Sequence, residues 1–119
     1  MKVIIAGSRT IFDYQLVLRA ISESGFEITE VVSGKAPGVD RCGEWWAINN
    51  NIPVKEFPAS FRGLGRAAGP IRNAEMAEYA DALICVHNGS RGSANMMRVA
   101  RAMGLKIFEK RVAAPVTKY

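Results

Sequence analysis

Residues 1–9 read MKVIIAGSR, so four apolar residues, 3–6, run directly into the polar turn Gly7-Ser8-Arg9. A short run rich in Val and Ile is typical of a strand buried on both faces, and glycine with polar neighbours favours a turn after it. Similar runs follow at residues 28–32, 53–57, 82–86 and 106–109. The sequence therefore predicts five short, buried strands, the first of which ends at a polar turn.

Helical patterns fill the intervals between these strands. The first helix is predicted over residues 13–24, with Asp13 as its cap and Gly25 at its end. The second is predicted to begin near Pro37, and the third to cover residues 70–79. The inner stripe of the fourth is predicted to consist of Met96, Val99, Ala100 and Met103.

Strands that alternate with helices predict an α/β fold, because right-handed crossovers return each helix over a parallel sheet. We expect a Rossmann-like, doubly wound parallel sheet of five strands in the order 3-2-1-4-5, with helices on both faces. One domain is predicted over residues 1–109, followed by a flexible tail over residues 110–119. Ligands of such folds bind at the carboxyl ends of the strands, here between strands one and four.

Composition excludes several classes of protein. A chain of 119 residues, 49% of them hydrophobic, is too short for a two-domain enzyme and too apolar for a disordered segment. Its apolar runs are too short for a membrane span or a signal peptide, so a cytoplasmic location is expected. The residues of the types that bind soft metals are Cys42, Cys85 and His87. His87 is predicted to lie in a loop. No metal and no cofactor are predicted.

Basic residues are concentrated in the second half of the chain. The net charge of +5 divides into −1 for residues 1–60 and +6 for residues 61–119. A long loop over residues 58–69 contains two of the arginines, Arg62 and Arg66. Guanidinium groups suit phosphate oxygens, so the excess indicates an anionic partner, although a solvated basic surface is the alternative.

Three turns that follow predicted strands combine glycine with serine and a basic residue. Glycine lets backbone N–H groups close on an anion, and the helix that follows presents the positive end of its dipole. The residues of these turns that are predicted to bind a phosphate are Gly7, Ser8, Arg9, Ser33, Gly34, Gly38, Gly89, Ser90, Arg91, Gly92 and Ser93. Each alone is also compatible with an ordinary turn or helix cap, and none matches the GxxxxGK(S/T) or GxGxxG signature.

Further candidate residues lie on predicted helices. Arg72 and Asn73, at the start of the third helix, could hold a phosphate and read a base or sugar edge. Asp40 and Glu44 are four residues apart, so one helix face could carry both as a catalytic acid/base pair. Asp40 could instead accept hydrogen bonds from ribose hydroxyls, or it could simply complement the helix dipole.

Four motifs occur in order along the chain: GSR at 7–9 with FD at 12–13, SG at 33–34 with APGVD at 36–40, AGPIRN at 68–73 with Met76, and GSRGS at 89–93. Together they resemble the YspA-like branch of the SLOG superfamily, and the likeness spans residues 3–108. The resemblance implies a Rossmann-like nucleotide pocket, sensing or processing of a nucleotide-derived ligand, and a homodimer. The superfamily includes the LOG phosphoribohydrolases, which cleave nucleoside 5′-monophosphates to base and ribose 5-phosphate, and the DNA-processing protein A family, which binds single-stranded DNA.

The chain departs from these relatives at three positions. Ser93 replaces a threonine of the LOG enzymes and keeps the hydroxyl, but Met96 stands where they carry a glutamate. A thioether cannot transfer a proton, so the resemblance does not extend to cleavage by that carboxylate. Lys35 stands where the YspA-like pattern tends to have glycine, and it adds a positive charge beside the predicted pocket.

Three hypotheses about function follow from these residues. In the first, the chain binds a nucleotide or a nucleotide-derived phosphorylated ligand as a sensor or processing protein. The first alternative is an N-glycosidase of nucleoside 5′-monophosphates in which Asp40 or Glu44 replaces the missing glutamate. The second alternative is a single-stranded nucleic-acid-binding module that uses the basic half of the chain and the loop with Arg62 and Arg66.

Overall fold

The computed structural model describes residues 1–60, 63 and 65–113, in which strands and helices alternate. The strands are β1 (Lys2–Gly7), β2 (Glu30–Ser33), β3 (Val54–Glu56), β4 (Ala82–His87) and β5 (Lys106–Arg111). The helices are α1 (Tyr14–Ser24), α2 (Val39–Asn49), α3 (Ala68–Tyr79) and α4 (Arg91–Ala102). A 3-10 turn, Gly65–Ala67, precedes α3 within the predicted long loop, and Arg62 of that loop lies outside the described residues.

The sheet confirms the predicted α/β fold. Its five strands are parallel and lie in the order β3-β2-β1-β4-β5, with Ile5 of the central strand β1 beside Ile84 of β4. Successive side chains of β1 point to opposite faces, so Ile5 packs in a core with α1 and α2, and Ile4 packs in a core with α3 and α4. Helices therefore cover both faces, which explains why the central strands are continuous apolar runs.

Local signals set the ends of the helices. The carboxylate of Asp13 accepts the N–H of Leu16 at 3.2 Å, and Gly25 ends α1 in the left-handed region with φ of +69°. The third helix begins at Ala68, two residues before Pro70, which was predicted to be its first residue. Proline is tolerated there because the N–H that it lacks has no partner within the first turn of a helix.

Three predictions about the C-terminal third are wrong. His87 is the buried last residue of β4, where a loop residue was predicted. Met103 follows α4 and is 48% exposed, so it does not belong to the inner stripe of that helix. The strand β5 continues through Arg111, so residues 110 and 111 pair in the sheet, and residues 114–119 lie outside the described part of the chain. Polar residues continue the backbone pairing at the ends of β4 and β5. The length of an apolar run therefore underestimates the length of these strands.

The described residues contain neither a membrane-spanning helix nor a cluster of metal-ligating side chains. None of the helices in residues 1–60, 63 and 65–113 is long and apolar enough to cross a membrane. In the same part of the chain, no group of three or more His, Cys, Asp or Glu side chains could hold a metal ion. Cys42 and Cys85 are both buried free thiols, and burial raises the pKa of Cys85 to about 12.

Candidate functional site

A cavity of about 780 Å³ lies at the carboxyl edge of the sheet, between the ends of β1 and β4 and beside the start of α3. The chain crosses from one face of the sheet to the other between these two strands, which is where open α/β sheets bind their ligands. The predicted site residues that line this cavity are Gly7, Ser8, Arg9, Asp40, Arg72, Asn73, Ser90, Arg91, Gly92 and Ser93. The turns after β1 and β4 therefore meet at one rim.

Ser8 joins these two turns. Its backbone N–H donates to the carbonyl of Val86 at 3.1 Å, and its hydroxyl accepts the N–H of Asn88 at 3.0 Å. The same hydroxyl lies 2.9 Å from Oδ1 of Asn88 and 3.0 Å from Oγ of Ser90. Asn88 in turn donates to the hydroxyl of Thr10 at 3.1 Å. Ser8 is buried, and its contacts tie the end of β1 to the turn after β4.

Gly7 allows the two strand ends to approach each other. A Cβ atom at this position would lie 1.8 Å from the carbonyl oxygen of Val86 and 2.8 Å from Cγ2 of Val39. Any side chain would therefore push β1 away from β4 at the point where the cavity begins. The glycine is required by this close approach, and its φ angle is not in the left-handed region.

The start of α4 faces the cavity without a side-chain cap. Ser90 is the N-cap residue, but its hydroxyl lies 2.7 Å from Oγ of Ser93 and does not cap the helix backbone. The N–H groups of the first helical turn have no partner within a helix, and they carry the positive end of the helix dipole. The backbone of Arg91, Gly92 and Ser93 is therefore suited to bind an anion.

Arg72 crosses the cavity floor from α3 to the turn after β2. Its Nη1 donates to the carbonyl of Gly34, and its Nε donates to Oδ1 of Asn73 at 3.0 Å. A Cβ at Gly34 would lie 2.4 Å from Nη1 of Arg72, so the absence of a side chain there makes room for the guanidinium. Burial lowers the pKa of Arg72, and the nearby charge of Asp40 opposes that change.

Asp40 is a buried carboxylate that lines the same cavity. Its Oδ2 accepts the N–H of Ala36 at 3.3 Å. Burial raises the pKa of Asp40 to about 6, although hydrogen bonds from the backbone of Ala36 and Gly7 and the charge of Arg72 act in the opposite direction. A group with this pKa is able to exchange a proton near neutral pH.

The predicted partner of Asp40 in acid/base chemistry does not reach the cavity. Glu44 accepts the hydroxyl of Ser33 at 2.5 Å and pairs with Nζ of Lys35 at 3.3 Å. Lys35 also pairs with Glu56 at 3.0 Å, and these two contacts raise the pKa of Lys35. The expectation that Asp40 and Glu44 act on one ligand is therefore not supported by their placement, because Glu44 is occupied within the protein.

The turn between β2 and α2 forms less of the rim than the sequence predicts. Ser33, Gly34 and Gly38 do not line the main cavity, and neither does Gly89. Gly34 instead lines a neighbouring cavity of about 190 Å³. Gly38, with φ of +79°, lies against the backbone of Ser8. The space beside Gly38 is occupied by the backbone of Ser8 and Arg9, whereas the space beside Gly34 and Gly89 is occupied by the side chains of Arg72 and Arg111.

Two arginines of the cavity were not among the predicted phosphate-binding residues, although Arg66 was named as a contact for nucleic acid. Arg66 and Arg98 join Arg9, Arg72 and Arg91, so five guanidiniums and one carboxylate, Asp40, line it among the described residues. A signal for Arg98 was present, because it follows Arg91 by seven residues and therefore shares its helix face. The signal for Arg66 was weaker, since the 3-10 turn that carries it has no periodic pattern.

His87 supports the turn after β4 from beneath. Its Nδ1 accepts the N–H of Gly89 at 3.0 Å, and its Nε2 lies 2.6 Å from a carboxylate oxygen of Glu109. Because Nδ1 is an acceptor, the proton of the neutral ring lies on Nε2 and is donated to Glu109. The side chain of Arg111 covers the other side of Gly89.

Comparisons with known proteins agree with this architecture. A sequence model of the YspA, cpYpsA-related SLOG family matches residues 1–63. Among solved structures, the chain is similar to DNA processing protein A (DprA) from Streptococcus pneumoniae, with a TM-score of 0.75 and 19% sequence identity. The match covers 91% of this chain and 49% of that one, so this chain spans about half the length of DprA. At that identity the likeness shows the fold alone. No curated protein matches the sequence.

Proposed function

Because the chain belongs to the YspA, cpYpsA-related SLOG family, we propose that its cavity binds a nucleotide or a nucleotide-derived phosphorylated ligand, as a sensor or processing protein. The observation that carries the proposal is the meeting of five guanidiniums with the uncapped start of α4 around one cavity. Guanidinium groups and helix N-termini both bind phosphate oxygens. The cavity volume of about 780 Å³ lies within the range of small-molecule sites.

The arrangement favours one orientation of the ligand. The phosphoryl group would lie at the first turn of α4, within reach of Arg9 and Arg91. The sugar and base would then extend along the cavity toward Asn73 and the buried side chain of Met96. This orientation places the charged end of the ligand at the helix dipole and the less polar end against apolar side chains.

A thermal-shift panel tests the proposal on the whole chain. The probes are AMP, IMP, GMP, CMP, UMP, ribose 5-phosphate and inorganic phosphate. A ligand at one hundred times its Kd stabilises a protein by about 2.7 kcal/mol, which gives a measurable rise in Tm. We expect at least one nucleotide to raise the Tm more than inorganic phosphate does.

Two arginines of α4 provide a matched pair of variants. Arg98 lines the cavity, whereas Arg101 lies three residues further along the helix and does not. Arg98→Ala should reduce the nucleotide-induced rise in Tm, and Arg101→Ala, with the same loss of charge, should leave it unchanged. An equal response of the two variants would contradict binding in this cavity, as would the absence of any nucleotide-induced shift in the wild type.

A second candidate function is hydrolysis of the N-glycosidic bond, which the buried position and raised pKa of Asp40 favour. In this reaction a water oxygen attacks C1′ of the ribose and the bond from C1′ to the base nitrogen breaks. Asp40 accepts a proton from the water and passes it to the departing base, so that ribose 5-phosphate and the neutral base are formed. Release of ribose 5-phosphate from AMP measures it. Asp40→Asn should abolish the release, whereas Glu44→Gln, outside the cavity, should retain it.

Single-stranded nucleic acid is a third candidate ligand, because Arg66 and Arg98 are exposed and extend the positive charge beyond the cavity. Binding of an oligonucleotide that weakens steeply with salt, together with no response to mononucleotides, would support this alternative.

The homodimer implied by the family resemblance is a separate proposal. Light scattering of the purified chain measures its oligomeric state.

A further inference from the structure

Four groups beside the cavity form a directional chain of hydrogen bonds. Arg72 donates to the carbonyl of Gly34 and, through Nε, to Oδ1 of Asn73 at 3.0 Å. Asn73 then donates through Nδ2 to Oδ1 of Asn95 at 2.8 Å. Asn73 is buried, Asn95 is half-buried, and both line the cavity together with Arg72.

The orientation of both amide groups follows from the chemistry of arginine. A guanidinium has only donors, so the Asn73 atom that Arg72 contacts must be the oxygen. The nitrogen of Asn73 is then directed at Asn95, and a donor requires an acceptor opposite it. The Asn95 atom that faces Asn73 must therefore be the oxygen as well, and the Nδ2 of Asn95 is left on the side of the cavity.

The Nδ2 atom of Asn95 lies about one helical turn from the proposed phosphate position, where it could contact the sugar or base. Asn95 follows Arg91 by four residues, which corresponds to about 6 Å along the helix axis. Within residues 1–60, 63 and 65–113, Nδ2 of Asn95 donates to no protein atom. A ligand whose phosphoryl group lies at the start of α4 would bring its sugar or base to this point.

We infer that Asn95 is a specificity-determining residue that selects nucleotides with a hydrogen-bond acceptor at this position, an inference that rests on the proposed function. Arg72 imposes the selection through Asn73, so the cavity offers a donor here whatever ligand enters. A ligand that presents a donor at the same position would leave two donors facing each other, which costs the hydrogen bond and the hydration of both groups.

The substitution Asn73→Asp tests this inference without changing residue 95. An aspartate at this position still accepts from Arg72, but it has no donor for Asn95. The amide of Asn95 must then rotate and donate to the aspartate, and its oxygen would face the cavity. Asn95→Asp would also place an acceptor there. Asn49→Asp, at an exposed position of α2, is the control for the added charge.

Hydrogen exchange of the side-chain amides measures the orientation without a ligand. In the wild-type chain we expect the NH₂ group of Asn73 to exchange slowly and that of Asn95 to exchange rapidly. In Asn73→Asp the group of Asn95 should become roughly tenfold slower, as expected when a solvent-exposed N–H acquires a protein acceptor. Equal exchange of Asn95 in both proteins would overturn the directional chain even if the proposed function is correct.

Binding of AMP and IMP by calorimetry measures the selection itself. Adenine and hypoxanthine exchange donor and acceptor on the same ring edge, while the ribose and the phosphate stay the same. The ratio of the two Kd values should change roughly tenfold in Asn73→Asp and in the same direction in Asn95→Asp, with no change in Asn49→Asp. The ratio of AMP to 2′-deoxy-AMP should stay the same in every variant, because a sugar hydroxyl can both donate to and accept from residue 95.

The outcomes distinguish a failure of the selection by Asn95 from a failure of the proposed function. If the ratio of the AMP and IMP Kd values does not change in the Asn73 and Asn95 variants while AMP still binds, Asn95 does not determine specificity. If no nucleotide binds the wild-type chain, the proposed function fails and the selection fails with it, whereas the hydrogen-exchange result still decides whether the amides are oriented as inferred.

Discussion

Two regions at the carboxyl edge of the sheet have similar sequences and different fates. The open rim consists of residues 7–9 and 88–93. The filled turn consists of residues 33–35, and we call it filled because its polar side chains pair with carboxylates of the protein. Both combine glycine and serine with a basic residue. At the open rim, the serine hydroxyls bind one another and the arginines face a cavity of about 780 Å³. In the filled turn, Ser33 and Lys35 are bound to carboxylates of the protein itself.

The difference indicates that the basic residues of such a turn are available to an anion only where carboxylates of the same chain do not pair with them. Glu44 extends from α2 onto the filled turn, and Glu56 ends the neighbouring edge strand β3. In the part of the chain that the structure describes, the one carboxylate that lines the cavity of the open rim is Asp40, and burial disfavours its charge. The two regions therefore differ in their neighbours and not in their own composition.

Alanine at the key glycine of each region should give the largest effect. Gly7→Ala places a methyl group 1.8 Å from a backbone oxygen that cannot move aside, and we expect a loss of more than about 3 kcal/mol of stability. Gly34→Ala meets the end of a flexible side chain, Arg72, which can rotate away, so it should cost less stability but lose nucleotide affinity.

Urea unfolding and AMP titration measure the two responses. Equal losses of stability in the two variants would show that both glycines are held by the backbone alone. In that case the contrast between the open rim and the filled turn would not extend to the glycines.

Because Asp40 lines the cavity as a buried carboxylate, its ionisation should make the stability of the folded chain depend on pH. Its pKa is raised from 3.8 to about 6 in the folded chain, so folding favours the protonated carboxyl. This contribution to stability is greatest below pH 4, falls as the pH rises to about 6, and stays low above that. Asp40→Asn removes the charge and should stabilise the chain by about 3 kcal/mol at pH 7.5.

Thermal unfolding of the wild type and Asp40→Asn between pH 4 and pH 8 measures this effect. The two melting curves should converge toward pH 4, where the wild-type carboxyl is protonated. A constant difference over the whole range would indicate that the substitution acts through packing and not through charge.

His87 should stabilise the turn after β4, because its Nδ1 accepts the N–H of Gly89. Asparagine can place an acceptor near the position of Nδ1, whereas glutamine extends its polar end to the position of Nε2 beside Glu109. We therefore expect His87→Asn to keep the N–H of Gly89 protected in hydrogen exchange and His87→Gln to lose that protection. The difference in stability between them should be about 1 kcal/mol. The same exchange rate at Gly89 in both variants would contradict the role assigned to Nδ1.

The smallest effect is expected in the filled turn itself. Lys35 adopts a left-handed φ of +62°. This conformation destabilises a residue with a Cβ by about 1 kcal/mol, whereas glycine adopts it freely. Lys35→Gly removes that strain together with two partly exposed ion pairs, each worth roughly 0.2–1 kcal/mol. The change in unfolding free energy should stay below about 1 kcal/mol, and AMP affinity should not fall. A large loss of affinity would show that Lys35 contributes to the site despite its two carboxylate partners.

The sequence was sufficient to predict the order of the strands. It was also sufficient to predict those helix ends that have strong local signals. Asp13 and Gly25 act through their own backbone neighbourhood, so no distant part of the chain is needed to locate them. The burial of His87 could not be predicted, because it depends on Glu109, which lies on the next strand of the sheet. The same holds for Glu44, whose side chain was expected at the ligand and is held by Ser33.

The sequence by itself determined that five apolar runs alternate with helical segments, and hence that a parallel sheet would collect polar turns at one edge. Such patterns are local and repeat along the chain, and the handedness of crossovers leaves few ways to connect them. Only the tertiary structure decided which of these turns stays open. That outcome depends on whether a carboxylate from another element arrives within hydrogen-bond distance, and spacing along the chain carries no information about such a meeting.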